Sequence, residues 1–208
     1  MYMSIIKIDT DNCLMQNNEE LTHETLLEAL GYKKRSDINL LYRKDKNNVC
    51  VYSSVPLDQG KLLCRNYIVQ NVIEIDNIYN KIKSGDVIKV FLRTSPSKKI
   101  IVSGKKNSKR RTLLKKEERL AWLEHKLSES GAEVVTDLFG QKLIQENGKT
   151  EIKFAHFEKQ LNQGAHTICA YDYIVSVRVN SVDSFLQSVA NGIGPYKSYG
   201  CGLLLIGA

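Results

Sequence analysis

The stretch NGIGPYKSYGCGLLLIGA, from Asn191 to Ala208, crowds Gly192, Gly194, Gly200, Gly202 and Gly207 around a basic, aromatic segment, Tyr196-Lys197-Ser198-Tyr199. It then runs into the apolar residues Leu203 to Ile206. Glycine at this density permits positive φ and the close approach of a second chain, because no Cβ stands in the way. The pattern predicts a loop that grips something, held by a buried strand; a glycine-rich turn with no ligand is the plainer alternative. Two phosphate loops are excluded by spacing. A Walker loop needs Gly-Lys-Ser/Thr closing the glycine run, and here Lys197-Ser198 follows Tyr196. A dinucleotide loop needs a third glycine three residues after Gly194, where Lys197 stands, and should open a helix after a strand, whereas this loop follows a predicted helix. No nucleotide cofactor is implied.

Upstream of that loop, 208 residues leave room for one large or two small domains with adequate cores. A hydrophobic content of 42% and a charged content of 25% are too apolar for a disordered chain and predict a folded, soluble one. No apolar run approaches the length of a membrane span, and the start, MYMSIIKIDTD, lacks the charged head and long apolar stretch of a signal peptide. A cytoplasmic location with no membrane partner is expected. The cysteines (Cys13, Cys50, Cys64, Cys169, Cys201) are odd in number and scattered, which suggests neither a disulfide framework nor a zinc site. His23, His125, His156 and His166 lack metal-ligand partners at close spacing, so any chemistry the chain carries is expected to be metal-free. The net charge of +7 is unevenly spread. Lys98 to Lys116 holds nine basic residues and no acidic one, so +7 less this +9 leaves −2 for the rest of the chain.

In chain order, residues 2 to 9 alternate and are rich in isoleucine, as a strand requires. A polar stretch, Thr10 to Glu20, leads to a helix of about eight or nine residues, with Thr22 as N-cap and Gly31 as its stop. Leu26, Leu27 and Leu30 share one face at helical spacing, and His23 falls on or beside it in the first turn. Residues 37 to 43 and 49 to 55 predict a hairpin, 57 to 65 a short helix and 67 to 75 a strand. That order, βαββαβ, is the ferredoxin-like unit, assigned to residues 1–80. Gly85 opens a second series over 85–208. It comprises a strand at 86–93, the basic segment as a loop, a helix at 115–129, strands at 134–144 and 151–157 about the turn Asn147-Gly148, a strand at 168–179, a helix capped by Ser181, and the final strand. The fold class is therefore α+β, two tandem ferredoxin-like domains with the second embellished.

Gly192-Ile-Gly-Pro195, Lys197-Ser198 and then Tyr199-Gly-Cys-Gly-Leu-Leu204 closing the chain resemble the signature of the CasE-type CRISPR RNA-processing endoribonucleases. These are the RNA-cleaving subunits of type I-E Cascade, within the RAMP superfamily. Similar segments fall at matching places along the chain: the Met1-Tyr-Met-Ser4 start, the Thr22-His23 helix, Phe91-Leu92-Arg93 with Pro96, and RLAWLEHKL from Arg119 to Leu127. The resemblance implies two ferredoxin-like domains in tandem. It further implies binding of the repeat hairpin of a CRISPR precursor RNA, cleavage at the 3′ base of the stem, and retention of the product in a complex with other Cascade subunits. The family's catalytic histidine lies in its first helix, and His23 is the matching residue. Some members carry a tyrosine three residues earlier, where this chain has Glu20. A carboxylate there would repel phosphate, so either Glu20 points away or another donor, such as Tyr32 or a lysine, takes the role, and the second acid or base is left open.

Cutting RNA without a metal needs a 2′-hydroxyl in line with the scissile phosphate, a base, an acid and positive charge on the phosphorane oxygens. Histidine suits the proton transfers, and a helix N-terminus would hold His23 neutral; read without the resemblance, a structural histidine is the favoured reading of His23. The basic segment reads either as a solvated loop or as phosphate contacts from Lys98, Lys99, Lys105, Lys106, Lys109, Arg110, Arg111 and Lys115. Lys197 would add charge, and the amides about Gly192, Gly194, Gly200 and Gly202 would approach the RNA backbone or pack on the first domain. A non-catalytic hairpin-binding subunit is the rival reading.

Overall fold

Strand β1 (Tyr2–Ile8) alternates as a half-buried strand must, with Ser4, Ile6 and Ile8 inside and Ile5 and Lys7 outside. In the computed structural model, which describes residues 1–9, 19–100, 109–154 and 166–207, it lies between β3 (Asn48–Ser53) and β4 (Tyr67–Glu74), antiparallel to both. With β2 (Leu40–Asp45) the sheet order is β2-β3-β1-β4. Helices α1 (Glu19–Leu30) and α2 (Gln59–Leu63) cover one face, and Leu26, Leu27 and Leu30 pack there with Ile6, Ile8, Tyr42 and Tyr67. A four-residue helix, α3 (Asp76–Tyr79), ends this half.

The second half repeats the scheme. Strand β5 (Val87–Thr94), helix α4 (Lys116–Glu129), strands β8 (Ala132–Val134), β9 (Ile144–Phe154) and β10 (His166–Val179), helix α5 (Val182–Asn191) and strand β11 (Leu204–Gly207) follow in turn. The sheet runs β11-β5-β10-β8, with β9 also paired to β10. With β9 set aside, both sheets share one spatial order (last, first, third, second), so the expected α+β fold of two ferredoxin-like units is the observed one. Among the described residues no helix is long and apolar enough to cross a membrane.

The sequence Leu40-Leu41-Tyr42 is wholly buried, although neighbouring strand residues face opposite ways. Leu40 and Tyr42 enter the first core, while Leu41, with Tyr52, enters the second beside Leu123, Phe185 and Val189. Strand β2 is thus the wall between the halves. Arg93, at the end of β5, pins that wall. Its guanidinium donates to the Lys44 carbonyl (2.7 Å), to Asp45 (2.6 Å) and to Asp172 of β10 (2.8 and 3.0 Å). Burial works against its charge and is outweighed by these carboxylates, so its pKa is raised.

Three sequence expectations are corrected. Thr22 is no N-cap: the helix starts at Glu19, whose acidic first turn suits the helix dipole, and Thr22 is fully buried, accepting from Lys44 Nζ (3.1 Å) and Tyr67 OH (3.2 Å). Asn147-Gly148 is no hairpin turn: β9 runs through it. Lys149 faces Tyr171 and Glu146 faces Tyr173, so β9 carries one extra residue, a bulge in which Gly148 takes φ 123°. The chain reverses instead at Asp137, whose carboxylate accepts from the amides of Phe139 and Gln141. Finally, the basic segment is not simply a loop: β6 (Ser97–Ile100) and β7 (Lys109–Thr112) pair as an antiparallel ribbon. Lys105, Lys106, His156 and the side chain of Lys109 lie outside the described residues.

Removing Arg93 leaves Asp172 without its buried partner. Arg93→Met is expected to lower unfolding free energy by about 3 kcal/mol, whereas Arg43→Met, whose closest ion pair is with the exposed Asp45 (2.7 Å) and which reaches Asp172 only at 3.5 Å, should cost under about 1 kcal/mol. Urea denaturation of the two variants decides, and equal small losses would contradict the assignment.

Candidate functional site

The glycine-rich loop between α5 and β11 packs against the protein on two sides. A Cβ at Gly192 would lie 2.7 Å from Leu41 and 2.9 Å from the Gly202 carbonyl, and Gly192 already takes φ 75°. Two of the loop's glycine amides are engaged internally, Gly192 donating to the Ser188 carbonyl and Gly202 to the Arg93 carbonyl. Those two glycines therefore serve packing and have no amide left for a phosphate. Further on, a single helical turn at Lys197–Tyr199 sits against α1, and Gly200 lies beside Glu19 and Tyr42. The Tyr42 hydroxyl, 3.0 Å from the carbonyl oxygens of both Glu19 and Ser198, shares its proton between helix and loop.

His23 stands where that loop meets α1. As the fifth residue of the helix it is beyond the first turn, so the dipole expected to tune it is not the cause of its state. Its pKa is lowered from 6.5 to about 4, first by burial and then by the charge of Arg35. The imidazole stacks near the Tyr42 ring, with centroids 6.2 Å apart and planes at 22°. Nδ1 is buried and meets no hydrogen-bond partner. Arg35 also depresses the pKa of Lys197, after burial, so the three groups share one neighbourhood. Lys197 Nζ donates to the Asn191 carbonyl at 2.7 Å. Beside them Glu20 faces a neighbour of its own: burial first, then the Glu20 charge, raises the pKa of the Tyr199 phenol.

Across the loop lies the basic ribbon. Lys98 is opposite Arg111 and Lys99 opposite Arg110, all four exposed. Like charges directly opposite in a ribbon destabilise it, so an anion laid on either face would strengthen it. Directly opposed residues share a face. Lys99 and Arg110 line a cleft of about 590 Å³ with Trp122, Gly192 and Gly194, while Lys98, Arg111 and Lys115 line a smaller groove, about 310 Å³, on the other side. His23 is not among the residues lining the cleft; the glycine loop borders both places. Sequence reading missed Arg35 and Tyr42, which reach His23 only through tertiary structure; the run Lys33-Lys34-Arg35 was the one available sign of the former. Among the described residues, no group of three or more His, Cys, Asp or Glu is placed to hold a metal ion.

These features define a tandem ferredoxin-like protein whose C-terminal glycine loop joins a neutral histidine to a basic ribbon. Residues 1–207 match the family model for CRISPR associated protein, so the chain belongs to that family. The fold is shared with CRISPR endoribonuclease Cse3 bound to a 19-nucleotide RNA (21% identity, 100% of each chain covered, TM-score 0.85). It is also shared with Cas6e from Escherichia coli K-12 (20% identity, 99% of this chain and 98% of that one, TM-score 0.72). A chain of a CRISPR RNA-guided surveillance complex is similar too (19% identity, 99% and 98% covered, TM-score 0.68). No curated protein matches the chain.

His23 carries a testable sign. Because its folded pKa is below the ordinary value, the folded state prefers the neutral ring. The group's contribution to stability is full above about pH 6.5 and is lost as pH falls toward 4. An NMR titration of the free protein is expected to place the His23 midpoint near 4, and Arg35→Gln should move it upward; a midpoint at or above 6.5 would contradict the burial argument.

Proposed function

We propose that the chain is a metal-independent CRISPR RNA endoribonuclease. It binds the repeat hairpin of a precursor transcript, cuts at the 3′ base of the stem, and keeps the product as a subunit of a Cascade-type complex. The observation that carries this reading is the neutral imidazole of His23 set with two cations, Arg35 and Lys197, beside a loop that borders a basic ribbon. Family membership and the fold held in common with RNA-bound Cse3 support it.

In the reaction we draw, Nε2 of neutral His23 accepts the proton of the 2′-hydroxyl. The 2′-oxygen bonds to phosphorus as the bond to the 5′-oxygen breaks. Arg35 and Lys197 stabilise the charge of the phosphorane, the kind of fixed positive charge that contributes most to such steps. Lys197, whose proton burial and Arg35 make easier to release, protonates the departing 5′-oxygen. The products are a 2′,3′-cyclic phosphate, open to hydrolysis to a 3′-phosphate, and a 5′-hydroxyl. An arriving phosphate raises the pKa of His23 and so strengthens the base when substrate is present. The site takes its positive charge from Arg35, which answers the presence of Glu20 where some relatives have tyrosine. Lys98, Arg111 and Lys115 hold the stem's phosphates, Lys99 and Arg110 add charge on the ribbon's other face, and the glycine loop runs past the RNA backbone.

The test is single-turnover cleavage of an end-labelled cognate repeat hairpin in EDTA. Wild type is expected to give one cut at the stem base, and His23→Ala to bind within about threefold of wild type while cutting at least about a hundredfold more slowly. Binding without cutting by both proteins would make the chain a hairpin holder, and equal cutting would move the chemistry away from His23.

A further inference from the structure

The cleft on the far side of the glycine loop is unused by the reaction drawn at His23. It is walled by Lys99 and Arg110 of the ribbon, by Trp122 and Lys126 of α4, and by Gly194 and Pro195 of the loop. Trp122 is half-buried and held in place by the loop: a Cβ at Gly194 would lie 2.4 Å from Thr94 Oγ1 and 3.0 Å from the indole, so only glycine lets the backbone pass there. Opposite this fixed aromatic edge stand two like charges, Lys99 and Arg110, directly paired across the ribbon. The one carboxylate on the wall, Glu129, is engaged by Lys126 (2.5 Å) and His125 (3.2 Å). The cleft therefore offers a flat apolar surface and unopposed positive charge a short way apart, the two chemistries of a nucleotide.

We propose that this cleft takes one unpaired nucleotide of the bound RNA, its base against Trp122 and its phosphate on Lys99 and Arg110. The inference rests on the RNA-binding reading above and deepens it. A volume of about 590 Å³ is in the range that encloses a single ligand of nucleotide size, whereas a paired stem is far wider and meets only the rim. A base within a stem has its faces stacked on its neighbours; an unpaired one is free to lie on an aromatic side chain. The two grooves of the ribbon thereby divide their work: the outer face, with Lys98, Arg111 and Lys115, meets the duplex, and the inner face meets single strand.

Trp122 is the only tryptophan in the chain, so its emission reports on this cleft alone. The probes are an unstructured RNA oligomer of a few nucleotides and a blunt repeat hairpin without unpaired ends, each with a label whose anisotropy follows binding. The oligomer is expected to change Trp122 emission saturably, and Arg110→Gln to weaken its binding about tenfold. Trp122→Leu should weaken it roughly fivefold or more, with Trp122→Phe retaining most of the affinity because stacking survives. The blunt hairpin should bind and leave the emission near that of free protein. If the hairpin binds but the oligomer leaves Trp122 silent, the cleft inference falls while the RNA-binding reading stands. If the blunt hairpin changes the emission as strongly as the oligomer, the cleft holds stem and the inference is again wrong. If neither RNA binds, both readings fall.

Discussion

Arg93 is the contact on which the arrangement depends. A guanidinium buried between two sheets is expensive unless its donors are all met, and here the Lys44 carbonyl, Asp45 and Asp172 meet them from both halves of the chain. The carbonyl of the same residue accepts from Gly202. One side chain thus fixes the end of β2 against β5 and β10, while its backbone fixes the loop that follows α5. The loop can then lie on Leu41, and its single turn at Lys197–Tyr199 is carried to α1, where Tyr42 ties it to the helix.

From that placement the electrostatics follow. Buried beside Tyr42, the imidazole of His23 is kept neutral, with Arg35 adding to the effect. Neutral histidine among cations is a site that lacks an anion, and the ribbon of opposed lysines and arginines nearby is another. Both are under-satisfied in the same sense, and a single polyanion threading past the glycine loop would relieve both. The strain of like charges is thus placed where binding removes it.

Much of the fold was legible because it follows from period and punctuation. The Ile6 and Ile8 alternation, the face of Leu26, Leu27 and Leu30, and the stop at Gly31 all read correctly. What failed did so for physical reasons. The ribbon β6–β7 has charge on both faces, so it shows no alternation between apolar and polar residues and looks like a loop. Asn147-Gly148 has turn chemistry, but a bulge uses the same positive φ, and only pairing with β10 distinguishes them. Thr22 is a good cap in isolation, yet Lys44 and Tyr67 from distant strands claim its hydroxyl. At the candidate site, His23 was singled out through family likeness alone. Arg35, Tyr42 and the Trp122 cleft come together only through tertiary packing, which no local spacing records.

The claim at the centre of this account is that the RNA supplies its own nucleophile and the protein supplies the base. The most direct test is a repeat hairpin with a single 2′-deoxy nucleotide immediately 5′ of the scissile phosphate, compared with the all-ribose hairpin under single-turnover conditions. The account predicts that the substituted RNA binds with unchanged affinity and is not cut. Cleavage of that RNA at the same position would show that the attacking oxygen comes from elsewhere, and would contradict the role given to His23.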